Sequence, residues 1–375
     1  MSEGQPLAVL HLVANRWWTG SAEPVIQLVK GLRARGHRAL LGLIPGGRFE
    51  DKAREAGIEP LAGLSLEARL DPLGLARDIA RLRRLARSER VDIVHCHHSH
   101  DHWLGGLCRG GAALVRTFHN ARAVSGRWPS TALYRRTDAV VVVSAEIEAR
   151  CLEAGISAGA LFRVPGVVDV GRFADGADTE AVRKELGLGT GPVLGSVARL
   201  AAGRGHELLI RGFALLLAER PDARLLLVGK GERRDAIEAF VRELGLTGQV
   251  ILTGYRDGDL PAVLAALDVF ALMGAGSDES CRAALEAMAA GRPVVGRRVG
   301  ALPDTVGHER TGLLIDDERP ESVAAALGAL ARDPARARAM GEAGRRRARE
   351  VHSPARHAER MEAIYREVLA RRAAG

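Results

Sequence analysis

A repeated alternation of short apolar runs with longer stretches of helical period constrains this chain more than any other feature of it. Leu7–Ala14 reads as a buried strand. A polar loop, Asn15–Glu23, follows, and then Val25, Leu28, Val29 and Leu32 mark one face of a helix. Gly36–Leu43 ends that helix and opens a second strand. Glu59–Leu61, Val91–Cys96, Ala113–Phe118 and Ala139–Val143 predict further strands, with a helix over Leu73–Arg87. A second series begins at Pro192–Val197 and continues through Arg224–Val228, Val250–Thr253, Asp268–Met273, Arg292–Val295 and Thr311–Ile315. Such alternation predicts a doubly wound α/β sheet, here two of them. A length of 375 residues suits two domains, and 47% hydrophobic residues can fill two cores. Only 4% are aromatic, so Ala, Leu and Val must do most of the filling.

The segment Gly276–Val295 is the centre of the second series. Ala283–Ala290 is rich in strong helix formers, Ser280 is placed to cap its start, and Gly291 to stop it. Asp278 precedes the helix and Glu286 lies inside it. Two acids flanking free helix N-terminal amides suit a ligand with hydroxyls at both ends and phosphate between, as in a nucleotide sugar. An ordinary capped helix with one surface acid would produce the same spacing.

Cys96, Cys108, Cys151 and Cys281 form no C-x-x-C pair, which points to a reducing compartment and away from a disulfide frame or zinc knuckle. The start lacks a basic segment ahead of an apolar core, and no apolar run approaches a membrane span. The expected location is cytoplasmic, with the inner face of a membrane as a surface for association. Net charge is +8. Residues 1–170 hold 23 basic and 17 acidic side chains, so most of the excess lies there. An acidic partner or a generally Arg-rich composition accounts for it equally well. On the Leu73–Arg87 helix, Leu75, Ile79 and Leu82 share a face flanked by Arg77, Arg81, Arg84 and Arg87, a pattern that suits anionic lipid or plain core packing. Scarce aromatics argue against a single-strand nucleic-acid platform, and no nucleic-acid partner is expected.

Five histidines, His95, His97, His98, His100 and His102, fall within eight positions. They invite a metal reading, but no separate ligand set stands out, and polar residues at a strand end are the preferred reading. No cofactor and no metal are expected.

Leu285–Ala289 and Gly291–Val295 resemble the acid-x7-Glu signature of the family-4 retaining glycosyltransferases of the GT-B fold, with Asp278 where Glu is usual. Further resemblances fall in order along the chain. They are Gly20 to Glu23 in the first loop, Thr117 and His119 after a strand, and Arg199 and Arg204 around Gly203 and Gly205. Phe162–Asp169 resembles the inter-domain linker. The resemblance implies two Rossmann-like domains, 1–170 for the acceptor and 171–354 for the nucleotide sugar. They would face each other across a cleft, with a final helix in 355–375 crossing back to the first. Its activity would be that of a retaining hexosyltransferase using a UDP- or GDP-sugar and a glycan or lipid-linked acceptor. Arg199 and Arg204 would hold the diphosphate in place of a metal, with Ser280, Cys281 and Arg282 beside it. Glu286 would hold the ribose, and Asp278 and His119 the sugar. Gly20 would let phosphate approach, and Tyr255 would border the base. A sugar-nucleotide epimerase of the same fold, or a non-catalytic binder of acidic polymer, are the alternative readings.

Overall fold

The computed structural model describes residues 4–67, 71–173, 178–256, 258–275 and 280–374. The chain forms two compact units, Met1–Pro165 with Pro354–Gly375, and Gly166–Ser353.

The first unit holds strands β1 (Ala8–Val13), β2 (Arg38–Leu43), β3 (Ile93–Cys96), β4 (Ala113–Phe118), β5 (Ala139–Val142) and β6 (Leu161–Arg163). They form one parallel sheet in the order β2-β1-β3-β4-β5-β6. The second unit holds β7 (Val193–Val197), β8 (Arg224–Val228), β9 (Val250–Gly254), β10 (Val269–Leu272), β11 (Val294–Arg297) and β12 (Gly312–Ile315). Their order is β12-β11-β10-β7-β8-β9, again parallel throughout. Helices cover both faces of such sheets, so the strands read as unbroken apolar runs rather than alternating ones.

Glu59–Leu61 is not a strand. Its Leu61 N–H donates to the Leu41 carbonyl at 2.8 Å, but Pro60 has no N–H with which to continue a ladder. The short edge strand Leu161–Arg163 and the helix Ser99–Cys108 were not visible in the pattern, the latter because His and Gly dilute its apolar stripe. On the helix Pro72–Ser88, Leu82 is buried and Ile79 packs against the core, so these two do not join Leu75 on an outer face. The exposed apolar residues there are Leu73 and Leu75.

The C-terminal helix Pro354–Ala374 opens on a proline, whose missing N–H costs nothing at a helix start. It belongs to the first unit and buries Met361, Ile364, Tyr365 and Val368 beside Leu28, Val29 and Leu32 of the helix Ala22–Ala34. Gly31 is required there, since a Cβ would run into Ala358 at 2.6 Å. The division between units falls at Pro165 and Gly166, ahead of Asp169. Val168 donates its N–H to the His352 carbonyl and the Gly166 carbonyl accepts from His352 Nδ1, which ties this stretch to the second unit.

Candidate functional site

In an open parallel sheet, ligands bind beyond the carboxyl ends of the strands where the strand order reverses. In the second unit that point lies between β7 and β10. The loops leaving β7, β8 and β10 are nested backbone against backbone. A Cβ on Gly205 would run into Met273, and one on Gly274 into the Gly203 carbonyl. A Cβ on Gly229 would overlap the Ala198 carbonyl oxygen, and one on Gly231 that of Leu200. Gly205 and Gly229 also have positive φ, +72° and +152°, so both space and backbone demand glycine.

Arg199 and Arg204 ride on the nested loop after β7. Arg199 is exposed, with its guanidinium 3.0 Å from the Glu232 carboxylate, and Arg204 is half-buried. His206, the first residue of the helix His206–Leu216, donates from Nε2 to the Arg199 carbonyl at 3.1 Å and so pins the loop. Burial lowers the pKa of that imidazole, which favours the neutral ring. Tyr255 follows β9 and is half-exposed, and the Lys230 ammonium lies 5.0 Å from its ring centroid. Neither Glu232 nor Lys230 stands out in the sequence, because each is one charge in a polar turn.

The cap of the helix Arg282–Ala289 falls one residue later than expected. Cys281, not Ser280, is its N-cap, at φ +53°. Burial decides this: the Cys281 side chain is 2% exposed, with Sγ 3.7 Å from the Ala275 carbonyl. A left-handed non-glycine residue costs on the order of 1–3 kcal/mol, so this loop holds strain that its surroundings offset. Ser280 is buried, and Gly166 passes close to it and to Leu285. Glu286 is buried, with Arg282 Nε 3.4 Å from its carboxylate. Gly291, at φ +73°, closes the helix as expected. It donates to the Met288 carbonyl while Arg292 donates to that of Ala287, the paired bonds of a Schellman end. Asp278 lies outside the described residues.

In the first unit the order reverses between β1 and β3. Gly20 lies in the loop after β1, just before Ser21, the N-cap of the helix Ala22–Ala34. His119 is the first residue beyond β4 and is 7% exposed. Its Nε2 lies 3.3 Å from Nδ1 of His97, whose Nε2 lies 3.3 Å from Nδ1 of His11. His95 is bonded through Nδ1 to the Tyr365 hydroxyl and through Nε2 to Thr117 Oγ1, each at 2.7 Å. Beneath these rings the buried Asp101 carboxylate accepts from the backbone N–H groups of Ala14 (3.0 Å), His97 (3.3 Å) and His98 (2.7 Å), and lies 3.6 Å from the buried Arg116 guanidinium. One paired charge therefore ties together the ends of β1, β3 and β4. Ligand atoms of His11, His95 and His97 come within 4.8 Å of one another. His11 was not a candidate in the sequence, and Arg116, a charge within an apolar strand, was the one available sign of the buried pair.

Two doubly wound parallel units, each with polar loops gathered at its switch point, are the parts of the GT-B architecture. The family description "Glycosyl transferases group 1" matches residues 178–347, and "Glycosyltransferase Family 4" matches residues 18–172. A GDP-mannose-dependent alpha-(1-6)-phosphatidylinositol monomannoside mannosyltransferase of Mycobacterium tuberculosis (strain CDC 1551 / Oshkosh) is 35% identical over 321 residues, covering 79% of this chain and 80% of that enzyme. A D-inositol 3-phosphate glycosyltransferase of Corynebacterium jeikeium is 30% identical over 322 residues, 76% of this chain and 74% of that one. Anabaena HepE, solved in complex with UDP, shares the fold with a TM-score of 0.83 at 20% identity, over 96% of this chain and 100% of that chain. The chain belongs to the family-4 glycosyltransferases.

Proposed function

We propose that this chain transfers a mannosyl group from GDP-mannose to a hydroxyl of an inositol-containing glycolipid, with retention at the anomeric carbon and without a metal. The carrying observation is the nest of loops at the β7/β10 switch point, which puts Arg199, Arg204 and a helix N-terminus at one edge. The donor and acceptor classes are drawn from the mannosyltransferase and inositol glycosyltransferase relatives.

In this reading the bond from C1 to the β-phosphate oxygen breaks and its electron pair stays on phosphate. Arg199 and Arg204 stabilise that charge, helped by backbone N–H groups at Ser280, Cys281 and Arg282. The acceptor oxygen bonds to C1 on the face the phosphate leaves, and its proton passes to the departing phosphate. Glu286 holds the ribose hydroxyls, Tyr255 borders the base, and Gly20 leaves room for the phosphates. His119 and Asp278 hold the hexose. Because the acceptor is a lipid, the exposed Leu73 and Leu75 with the arginines of the helix Pro72–Ser88 form the membrane-resting surface. Among the described residues no helix is long and apolar enough to cross a membrane.

The test is a donor panel scored for nucleoside diphosphate release with a phosphatidylinositol mannoside acceptor, in excess EDTA, with the product anomer read by NMR. GDP-mannose is expected to be consumed to an α-linked product. Preference for a UDP-sugar would overturn the donor, a β-linked product the stereochemistry, and activity restored only by Mg²⁺ the metal-free reading. Donor consumed to a sugar-nucleotide isomer without acceptor would make the chain an epimerase.

A further inference from the structure

Within the first unit the imidazoles of His11, His97 and His119 make a hydrogen-bonded row. We propose that His97 and His11 are positioning residues that hold His119 as its Nδ1–H tautomer, presenting that N–H to the hexose. The proposal rests on the reading above that His119 faces the sugar.

A neutral imidazole has one N–H and one bare nitrogen, so a row of three can run in only two directions. In one, His11 Nδ1–H donates to His97 Nε2, His97 Nδ1–H donates to His119 Nε2, and His119 keeps its N–H at Nδ1. In the other, every bond reverses and His11 is left with an N–H at Nε2. That atom is buried and has no partner among the described residues. An orphaned buried N–H is rarer than an unfilled acceptor. The first direction is therefore the stable one.

The rings are also held neutral, as a row of this kind requires. Burial is the main cause: it pushes His11 and His119 down to about 3, helped by Arg33 at His11 and by Arg116 at His119, and it holds His97 well below its ordinary value. His95 fixes the row from below. Its ring stacks on His97 at 4.3 Å between centroids, and both its nitrogens are bonded, to Tyr365 and Thr117. Tyr365 brings the C-terminal helix into the same assembly.

Metal ligation by His11, His95 and His97 is the competing use of these residues. It requires in-plane lone pairs converging on one point. His95 and His97 are stacked at 30°, His95 has no uncommitted nitrogen, and the set contains no carboxylate to offset a dication near Arg116.

The test is long-range ¹H–¹⁵N correlation NMR on the full chain with ¹⁵N-histidine, after dialysis against EDTA and without substrate. His11, His97 and His119 are expected as neutral Nδ1–H tautomers from pH 6 to 8. In H97L, which cannot donate, His119 should become a tautomer mixture, and kcat should fall about tenfold to hundredfold while nucleoside diphosphate affinity stays unchanged. In H97N, whose amide N–H stands where Nδ1–H was, the tautomer and most of kcat should return. An Nε2–H tautomer for His119 in the wild-type chain overturns the proposal without any variant having to fold. So does an unchanged His119 spectrum in H97L, or a shift of the His11, His95 and His97 signals on adding one equivalent of Zn²⁺. If H97L scrambles the tautomer and leaves kcat intact, the row stands and the sugar-facing role of His119 fails.

Discussion

Glu286 and Asp278 stand with seven residues between them, and the proposed reading gives them different halves of the donor. Ribose is present in both the donor and the free nucleoside diphosphate, whereas the hexose is present only in the donor. Glu286→Gln should therefore weaken binding of both, by about 1–3 kcal/mol for a lost charge-assisted hydrogen bond. The Glu286 contact with Arg282 adds a structural share to that loss, so thermal unfolding of the variant must be measured beside it. Asp278→Ala should leave nucleoside diphosphate affinity nearly unchanged while donor turnover falls. Calorimetry on each variant decides the matter, since equal weakening of the free nucleotide by both substitutions would contradict the two-ended assignment. The place of Glu286 inside its helix was legible because helix propensity and the Gly291 stop are local signals. The cap at Cys281 was not. A left-handed cysteine is chosen by the pocket around its sulfur, and no local preference announces it.

The helix Pro72–Ser88 shows how a helical stripe can mislead about its partner. Its periodicity was readable, but the same spacing describes a face for the core and a face for lipid. Packing against the core claims Leu82 and Ile79, and leaves Leu73 and Leu75 outside with Arg77, Arg81, Arg84 and Arg87. Co-sedimentation with vesicles containing phosphatidylinositol should exceed that with neutral vesicles and fall as salt is raised. Reversing Arg77 and Arg84 to Glu should weaken it at least tenfold, given about 1 kcal/mol for each basic residue near such a surface. Equal binding to both vesicle types, or no effect of the reversal, would remove the membrane-resting role.

The two units should answer acid differently. Burial lowers the pKa of His11, His95, His97, His98, His102, His119 and His357, all of which lie in the first unit. An unfolded histidine takes up its proton near 6.5, whereas folded His11, His98 and His119 wait until about 3 and His357 until about 4. Below pH 6.5 the unfolded state thus binds more protons, and stability falls as pH falls. Each such histidine contributes up to about 1.4 kcal/mol per pH unit. All four tryptophans, Trp17, Trp18, Trp103 and Trp128, also lie in the first unit. On acidification their fluorescence transition should come at a higher pH than the loss of far-ultraviolet helical signal, to which both units contribute. Coincident transitions would contradict this. The sequence alone determined two series of buried strands and the helix that follows β10, because apolar period, propensity and glycine stops act over a few neighbouring residues. Strand order was beyond it. Only the pairing of β1 with β3 sets His11 beside His97 across 86 residues, and only the pairing of β7 with β10 seats the Arg204 loop on Gly274. Those neighbours are chosen by contacts distant in the chain, and no local period records them.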